Sequence, residues 1–179
     1  MDDFRTQVRY GAGAQLFHWL TAATVLAAFI ISAGGPESRV YSPERASQLQ
    51  LHETLGLAVF VLTILRLVWR LMDNTPDDPP MAAWMHISSR VVQVGLFVLL
   101  VVTPVTAILG AWLEGHPLFV AGLGSIAPLV PTAHATGQFV TEAHSWLGDA
   151  LIWLAGLHAA AALFHHFVLR DRVLISMLP

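Results

Sequence analysis

The sequence predicts an all-α integral membrane protein: a bundle of four membrane-spanning helices with both termini on the cytoplasmic side. The chain of 179 residues is 55% hydrophobic and only 12% charged, about half the charged fraction of an ordinary soluble domain. It also contains four nearly charge-free segments of about 20 apolar residues, the length needed to cross the hydrocarbon core of a bilayer. We therefore expect one transmembrane domain over residues 1–179, surrounded by lipid.

The charge and the cysteine count exclude other classes of protein. The formal net charge is -3 and no basic run is present, so nothing in the sequence indicates a nucleic acid partner. The chain has no cysteine, which excludes disulfides, zinc–thiolate sites and iron–sulfur clusters. The chain contains nine histidines and nine arginines but no lysine.

The predicted spans cover approximately residues 14–33, 49–71, 90–113 and 145–169. Pro104 lies within the third span and should kink it without excluding it. The uncharged segment that follows is rich in residues that interrupt helices, so we expect residues 114–144 to form an outer interfacial loop. These residues are Gly115, Pro117, Gly122, Gly124, Pro128, Pro131 and Gly137.

Arginine predicts the orientation of the bundle. Seven arginines fall on the side of the two termini, against two on the other side, and positive charge is enriched in cytoplasmic segments. The seven are Arg5, Arg9, Arg66, Arg70, Arg90, Arg170 and Arg172, and the two are Arg39 and Arg45. A cleaved signal peptide is not expected, because the chain starts with Met-Asp-Asp and its first apolar run is too long.

Four histidines lie at positions where they can pair. Given alternating spans, His18 lies near the inner side and His52 and His144 near the outer side. His158 follows His144 by fourteen residues, which is about 21 Å along a helix and only about 40° around it. The two therefore share one face of the fourth span, and the spacing predicts two bis-histidine sites: His52 with His144, and His18 with His158.

Small residues next to these histidines favour haem as the ligand. The residues four positions later, on the same helical face, are Gly56, Gly148, Ala22 and Ala162, and small residues open space between membrane helices. The other five histidines have no glycine or alanine at that offset. The alternative explanation is close packing of the helices. With both axial positions of each iron occupied, such haems would carry single electrons and would not bind oxygen.

Several motifs together resemble the bacterial cytochrome b561 family. They are FHWL, LHETLGLAVFVLTILRLVWRL, HPLFVAGLG, AHSWLG and GLHAAAALFHHFVLRD, and the resemblance covers nearly the whole chain. It implies a four-helix protein of the bacterial inner membrane that carries two haem b (protohaem IX) groups and exchanges electrons with the quinone pool, with ubiquinone as the exchangeable substrate. The family's iron ligands fall on His18, His52, His144 and His158.

The resemblance leaves the electron donor open among superoxide, a dehydrogenase and a periplasmic carrier. One branch of the family oxidises superoxide and reduces ubiquinone, and this chain resembles that branch in size and in the GLHAAAALFHHF run. Its outer loops, however, offer Arg39 and Arg45 against six carboxylates, so steering of a small anion should be weak. The carboxylates are Glu37, Glu44, Glu53, Glu114, Glu142 and Asp149.

Two further residues are candidates for the inner end. Arg66 follows His52 by fourteen residues and therefore reaches the inner level, where it either pairs with a haem propionate or extends to the membrane surface. His165 lies two turns beyond His158, where it either binds a quinone and transfers a proton or anchors the helix at the interface. A competing function from another class is a non-haem channel or metal transporter lined by histidine.

Overall fold

The computed structural model describes residues 9–32, 45–72 and 81–178, and its main feature is a set of long apolar helices. They are α1 (Ala12–Ser32), α2 (Ala46–Met72), α3 (Ala83–Leu113) and α4 (His134–Phe164), and a π-helical turn, His165–Leu169, continues α4. In this described part of the chain, four helices are long and apolar enough to cross a membrane. The four-helix membrane fold predicted from the sequence is confirmed.

The helices associate as two pairs. α1 packs mainly on α2 and α3 mainly on α4, whereas α1 and α4 barely touch. The buried core lies halfway along the bundle, where Val59 of α2, Leu100 of α3 and Leu151 of α4 meet. Val25 of α1 packs against this group, so all four helices contribute to one apolar layer.

The connection between α3 and α4 is partly structured. It contains a hairpin of two short antiparallel strands, β1 (Leu118–Val120) and β2 (Gly124–Ile126), with Leu118 opposite Ile126. Gly122 and Gly124 have φ angles of 81° and 90°, which an L side chain rarely adopts. These two glycines make the tight turn of the hairpin.

Helix α4 begins at His134, roughly three turns before the predicted span start at residue 145. The interfacial loop predicted over 114–144 is correspondingly shorter. Gly137 lies within the helix and does not interrupt it. Its lack of a side chain lets α4 approach the end of α3 closely, since a Cβ there would lie 2.7 Å from Cγ of Glu114. The N–H of Ala133 also donates to the carbonyl of Leu113 over 2.8 Å, which ties the start of α4 to the end of α3.

The C-terminal segment folds back on the start of α1. Gln15 Nε2 donates to the carbonyl of Leu178 over 2.8 Å, and Trp19 Nε1 donates to the carbonyl of Met177 over 2.8 Å. The segment includes a short helix, α5 (Val173–Ser176). The start of α1 and the end of α4 therefore lie at the same end of the bundle.

The side of the membrane on which this end lies stays a prediction from the arginine distribution. Two of the arginines used for this orientation, Arg5 and Arg39, lie outside the described residues. So do Glu37 and Glu44, which were counted among the carboxylates of the outer loops. We call the end with His18 and the C-terminal segment the inner end, and the end with His52 and the hairpin the outer end.

The close approach of α3 and α4 at Gly137 can be tested against a glycine in open space on the same helix. We expect Gly137→Ala to lower the free energy of unfolding in detergent by about 1–3 kcal/mol, because the new Cβ overlaps Glu114. Gly156→Ala is the matched control, since a Cβ there meets nothing within 4 Å, and it should cause no loss of stability. Equal denaturation midpoints for the two variants would contradict this packing.

Candidate functional site

Four imidazoles face one another in two pairs at opposite ends of the bundle. At the outer end the ring centroids of His52 and His144 lie 6.1 Å apart, with the ring planes at 74°. At the inner end the centroids of His18 and His158 lie 6.4 Å apart, with the planes at 66°. The structure thus brings together the partners that the helical spacing indicates.

These separations suit one metal ion between each pair of rings. An imidazole nitrogen bonds a metal ion at about 2 Å, so two rings bound to the same ion from opposite sides have centroids about 6 Å apart. Within the described residues, no three histidine, cysteine or acidic side chains come together in a group that could hold a metal ion. Two opposed ligands without a third are typical of axial coordination to a planar macrocycle, which supplies the other donors itself.

Both outer imidazoles are held by backbone carbonyl groups. His52 Nδ1 lies 3.0 Å from the carbonyl oxygen of Ala28 in α1, and His144 Nδ1 lies 2.9 Å from that of Thr103 in α3. A carbonyl can only accept, so each Nδ1 carries the proton and each Nε2 keeps a free lone pair. This is the tautomer and the type of support that metal-binding histidines commonly show.

In the inner pair, His18 is hydrogen-bonded to an arginine side chain. Nη2 of Arg66 donates to Nδ1 of His18 over 2.9 Å. The same guanidinium lies over the ring of Phe97, with Cζ 5.2 Å from the ring centroid, and Arg70 lies over that ring at 5.7 Å. Arg66 therefore does reach the inner histidines, as its position fourteen residues after His52 indicates.

The small residues leave space beside the outer histidines. A Cβ added to Gly56 or to Gly148 would meet nothing within 4 Å, although both glycines lie one helical turn from a paired histidine. At the inner end Ala22 is exposed and Ala162 is half-buried, so neither is packed into the core. Open space next to paired imidazoles is what a bulky planar cofactor requires.

The apolar core lies between the two histidine pairs. Leu151 is seven residues from both His144 and His158, and Val59 is seven residues from both His52 and Arg66. Leu151 and Val59 are 7% and 6% exposed. The bundle is thus closely packed midway between the pairs and open at the level of the outer pair.

The outer pair adjoins the hairpin, a contact that the sequence did not predict. Glu53, next to His52, accepts a hydrogen bond from the N–H of Phe119 at 2.8 Å, and the hydroxyl oxygen of Thr54 accepts one from the N–H of Ala121 at 3.1 Å. These bonds fasten strand β1 and the turn after it to the start of α2. The one feature of the sequence that could have indicated this contact is the presence of two adjacent polar residues, Glu53 and Thr54, in an apolar span.

At the inner end, His165 has an acidic partner. Its Nδ1 lies 2.5 Å from Oδ2 of Asp171, and the other carboxylate oxygen of Asp171 accepts the N–H of Val173 at 3.0 Å. The side chain of His165 is 14% exposed and that of Asp171 is 28% exposed. Asp171 was missed from the sequence, because the π-helical turn and the left-handed conformation of Arg170 (φ 55°) that bring it back to His165 have no clear pattern.

Comparison with known proteins identifies the family of this chain. The family model described as prokaryotic cytochrome b561 matches residues 9–179. The chain belongs to this family. Membership makes it a multi-pass bacterial membrane cytochrome that transfers electrons, and it implies a haem b cofactor.

Individual relatives cover nearly the whole of this cytochrome. Cytochrome b561 homolog 2 of Escherichia coli (strain K12) is 27% identical over 174 residues, which cover 97% of this chain and 93% of the relative. The probable superoxide oxidase CybB of Yersinia pestis is 30% identical over 165 residues, covering 90% and 91%. Cytochrome b562 of Cereibacter sphaeroides is 30% identical over 173 residues, covering 90% and 89%.

Proposed function

We propose that this protein is a di-haem b-type cytochrome of the bacterial inner membrane that moves electrons between the two faces of the bilayer and exchanges them with quinone. His52 and His144 would hold the iron of an outer haem, and His18 and His158 would hold that of an inner haem. The observation that carries the proposal is the pair of centroid separations, 6.1 and 6.4 Å, which match two imidazoles sharing one iron.

The residues around the outer pair fit the cofactor. The backbone carbonyls of Ala28 and Thr103 hold the two Nδ1–H groups, which leaves both Nε2 atoms available as ligands. Gly56 and Gly148 border open space in which a macrocycle fits between helices. Hydrogen bonding, tautomer and space therefore all favour coordination at this pair.

The chain itself supplies position and insulation. Haem supplies a reversible one-electron couple, and two imidazoles per iron leave no coordination position for oxygen. The apolar layer of Val59, Leu100 and Leu151 keeps water and ions out of the path between the two levels. A closely packed, dry layer of this kind lets electrons cross while it blocks protons and ions.

The inner end has groups suited to exchange with a quinone. Asp171 binds Nδ1 of His165, so the ring is held in place while Nε2 can hydrogen-bond a quinone carbonyl and transfer a proton. His165 is seven residues beyond His158, about 10 Å further along the helix and therefore close to the inner level. We assign the exchange of ubiquinone to this end.

A second candidate function is oxidation of superoxide at the outer end with reduction of ubiquinone. The observation that favours it is the relative in Yersinia pestis, 30% identical, which is named a probable superoxide oxidase. A dehydrogenase and a periplasmic carrier are the two other electron donors that the sequence leaves open. A histidine-lined metal transporter is less favoured, because the imidazoles meet in opposed pairs.

Substitution of the ligands tests the pairing. We expect His52→Ala and His144→Ala to remove the same haem, and His18→Ala and His158→Ala to remove the other, so each variant loses about half of the low-spin haem absorbance. His134→Ala is the control, since this exposed residue lies outside both pairs, and it should retain both haems. Loss of one and the same haem in His52→Ala and His158→Ala would contradict the assignment.

Quinone exchange can be tested at the inner end. After reduction by dithionite, we expect His165→Phe to be reoxidised by a soluble ubiquinone analogue about a hundredfold more slowly than the unmodified protein, because a positioned proton donor is lost. Asp171→Asn should show part of this effect. His134→Ala, at the outer end, should react at the normal rate, and a normal rate in His165→Phe would overturn the quinone assignment.

Rapid mixing with superoxide tests the second candidate. Superoxide oxidation requires that the haem be reduced by superoxide faster than superoxide disproportionates, and that ubiquinone then reoxidise it. The described outer region has one arginine, Arg45, and four acidic residues, Glu53, Glu114, Glu142 and Asp149. Because this surface does not attract an anion, we expect that raising the ionic strength will not slow the reaction. Absence of any reduction above background would exclude this donor.

A further inference from the structure

His18 of the inner pair differs from both outer histidines in which ring nitrogen carries the proton. Arginine has only N–H donors, so the bond from Arg66 to His18 makes Nδ1 of His18 the acceptor. A neutral imidazole that accepts at Nδ1 carries its proton on Nε2. His52 and His144 have the opposite arrangement, because their Nδ1 atoms donate to carbonyl groups.

This difference bears on iron binding at the inner end. A metal bond needs a nitrogen lone pair, and in His18 the bond to Arg66 occupies the lone pair of Nδ1 while a proton occupies Nε2. The outer pair offers a lone pair on each Nε2 as it stands. The inner pair binds iron through Nε2 of His18 only after its proton has moved.

Arg66 needs an acceptor when it leaves His18. In the described part of the chain Arg66 bonds Nδ1 of His18, lies over the ring of Phe97, and is near enough to the phenol of Tyr10 to interact with it. None of these groups is a carboxylate. A buried guanidinium without a hydrogen-bond acceptor is costly, and a carboxylate is its strongest partner. The carboxylates of haem are propionates, and they would arrive together with the iron.

We propose that Arg66 is a positioning residue that makes loading of the inner site depend on the carboxylates of the cofactor. Arg66 releases Nδ1 of His18 and binds a propionate. The imidazole proton then passes from Nε2 to Nδ1: one N–H bond breaks, one forms, and no proton is gained or lost overall. The freed lone pair of Nε2 binds the iron, whereas the outer site needs no such exchange. This inference rests on the proposed haem assignment.

The test compares two probes on the apoprotein: protohaem, and its dimethyl ester, which has the same macrocycle and iron but no free carboxylate. The variant His52→Ala/His144→Ala removes both outer ligands, so the low-spin spectrum reports only the inner site. In this variant we expect protohaem to bind at least about tenfold more tightly than the ester, because Arg66 gains no partner from the ester. With His18→Ala/His158→Ala, which leaves the outer site, the two probes should bind about equally.

Arg66→Leu in the inner-site variant should abolish the discrimination, since His18 is then free of the guanidinium with either probe. Arg70→Leu is the matched control: Arg70 lies over the same Phe97 ring, one turn along α2, but the bond to His18 belongs to Arg66. It should keep the preference for protohaem.

Two results would overturn the inference while leaving the haem assignment intact. One is equal affinity of the inner site for both probes with Arg66 present, a comparison that needs no substitution of Arg66. The other is an undiminished preference for protohaem in Arg66→Leu. If neither probe gives a low-spin spectrum in the unmodified chain, the haem assignment fails and the inference fails with it.

Discussion

The arrangement of this protein depends on one geometric constraint: a single helix, α4, presents two imidazoles on one face at two depths of the membrane. Fourteen residues between His144 and His158 correspond to nearly four whole turns. Each imidazole therefore faces the same interior, one towards α2 and the other towards α1. Small residues lie one turn from each of these imidazoles, and the apolar layer lies between the two levels.

The helices of the bundle pack as two pairs. α1 and α2 form one pair and α3 and α4 the other, and Val59, Leu100 and Leu151 join the pairs midway along the bundle. Hydrogen bonds from the C-terminal segment to α1 and from the hairpin to α2 join them at the two ends. In a membrane, close packing and hydrogen bonds hold helices together, so ligands that bridge α4 to α1 and to α2 would also stabilise the bundle.

Much of this arrangement could be predicted from the sequence, because both the spans and the pairing depend on regular helical periods. The length of an apolar segment that spans a bilayer follows from the rise of an α-helix. The rise and the rotation together predict which of the four histidines meet: His18, His52, His144 and His158. The sequence predicts the fourth span from residue 145, whereas α4 begins at His134. Gly137 was counted among the helix-interrupting residues, but it lies within α4 where this helix packs on the end of α3. The hairpin that Glu53 binds and the contact between His165 and Asp171 depend on irregular backbone, which has no period to detect.

The hydrogen-bond partners of individual histidine ring nitrogens could not be predicted from the sequence. Arg66 was expected at the inner level from its spacing, but its bond to Nδ1 of His18 depends on side-chain conformations. The same holds for the carbonyl groups of Ala28 and Thr103, since any residue type has a carbonyl. The sequence therefore indicated which residues meet. The structure added the hydrogen-bond partners from which the protonated nitrogen of His18, His52 and His144 is inferred.

We propose that each opposed imidazole pair coordinates one haem iron. The most direct measurement is the number of b-type haems per purified polypeptide, together with the electron paramagnetic resonance spectrum of the oxidised protein. We expect two haems per chain, both low-spin with two imidazole ligands. A single haem per chain, or a high-spin signal from an iron with only one histidine, would contradict it.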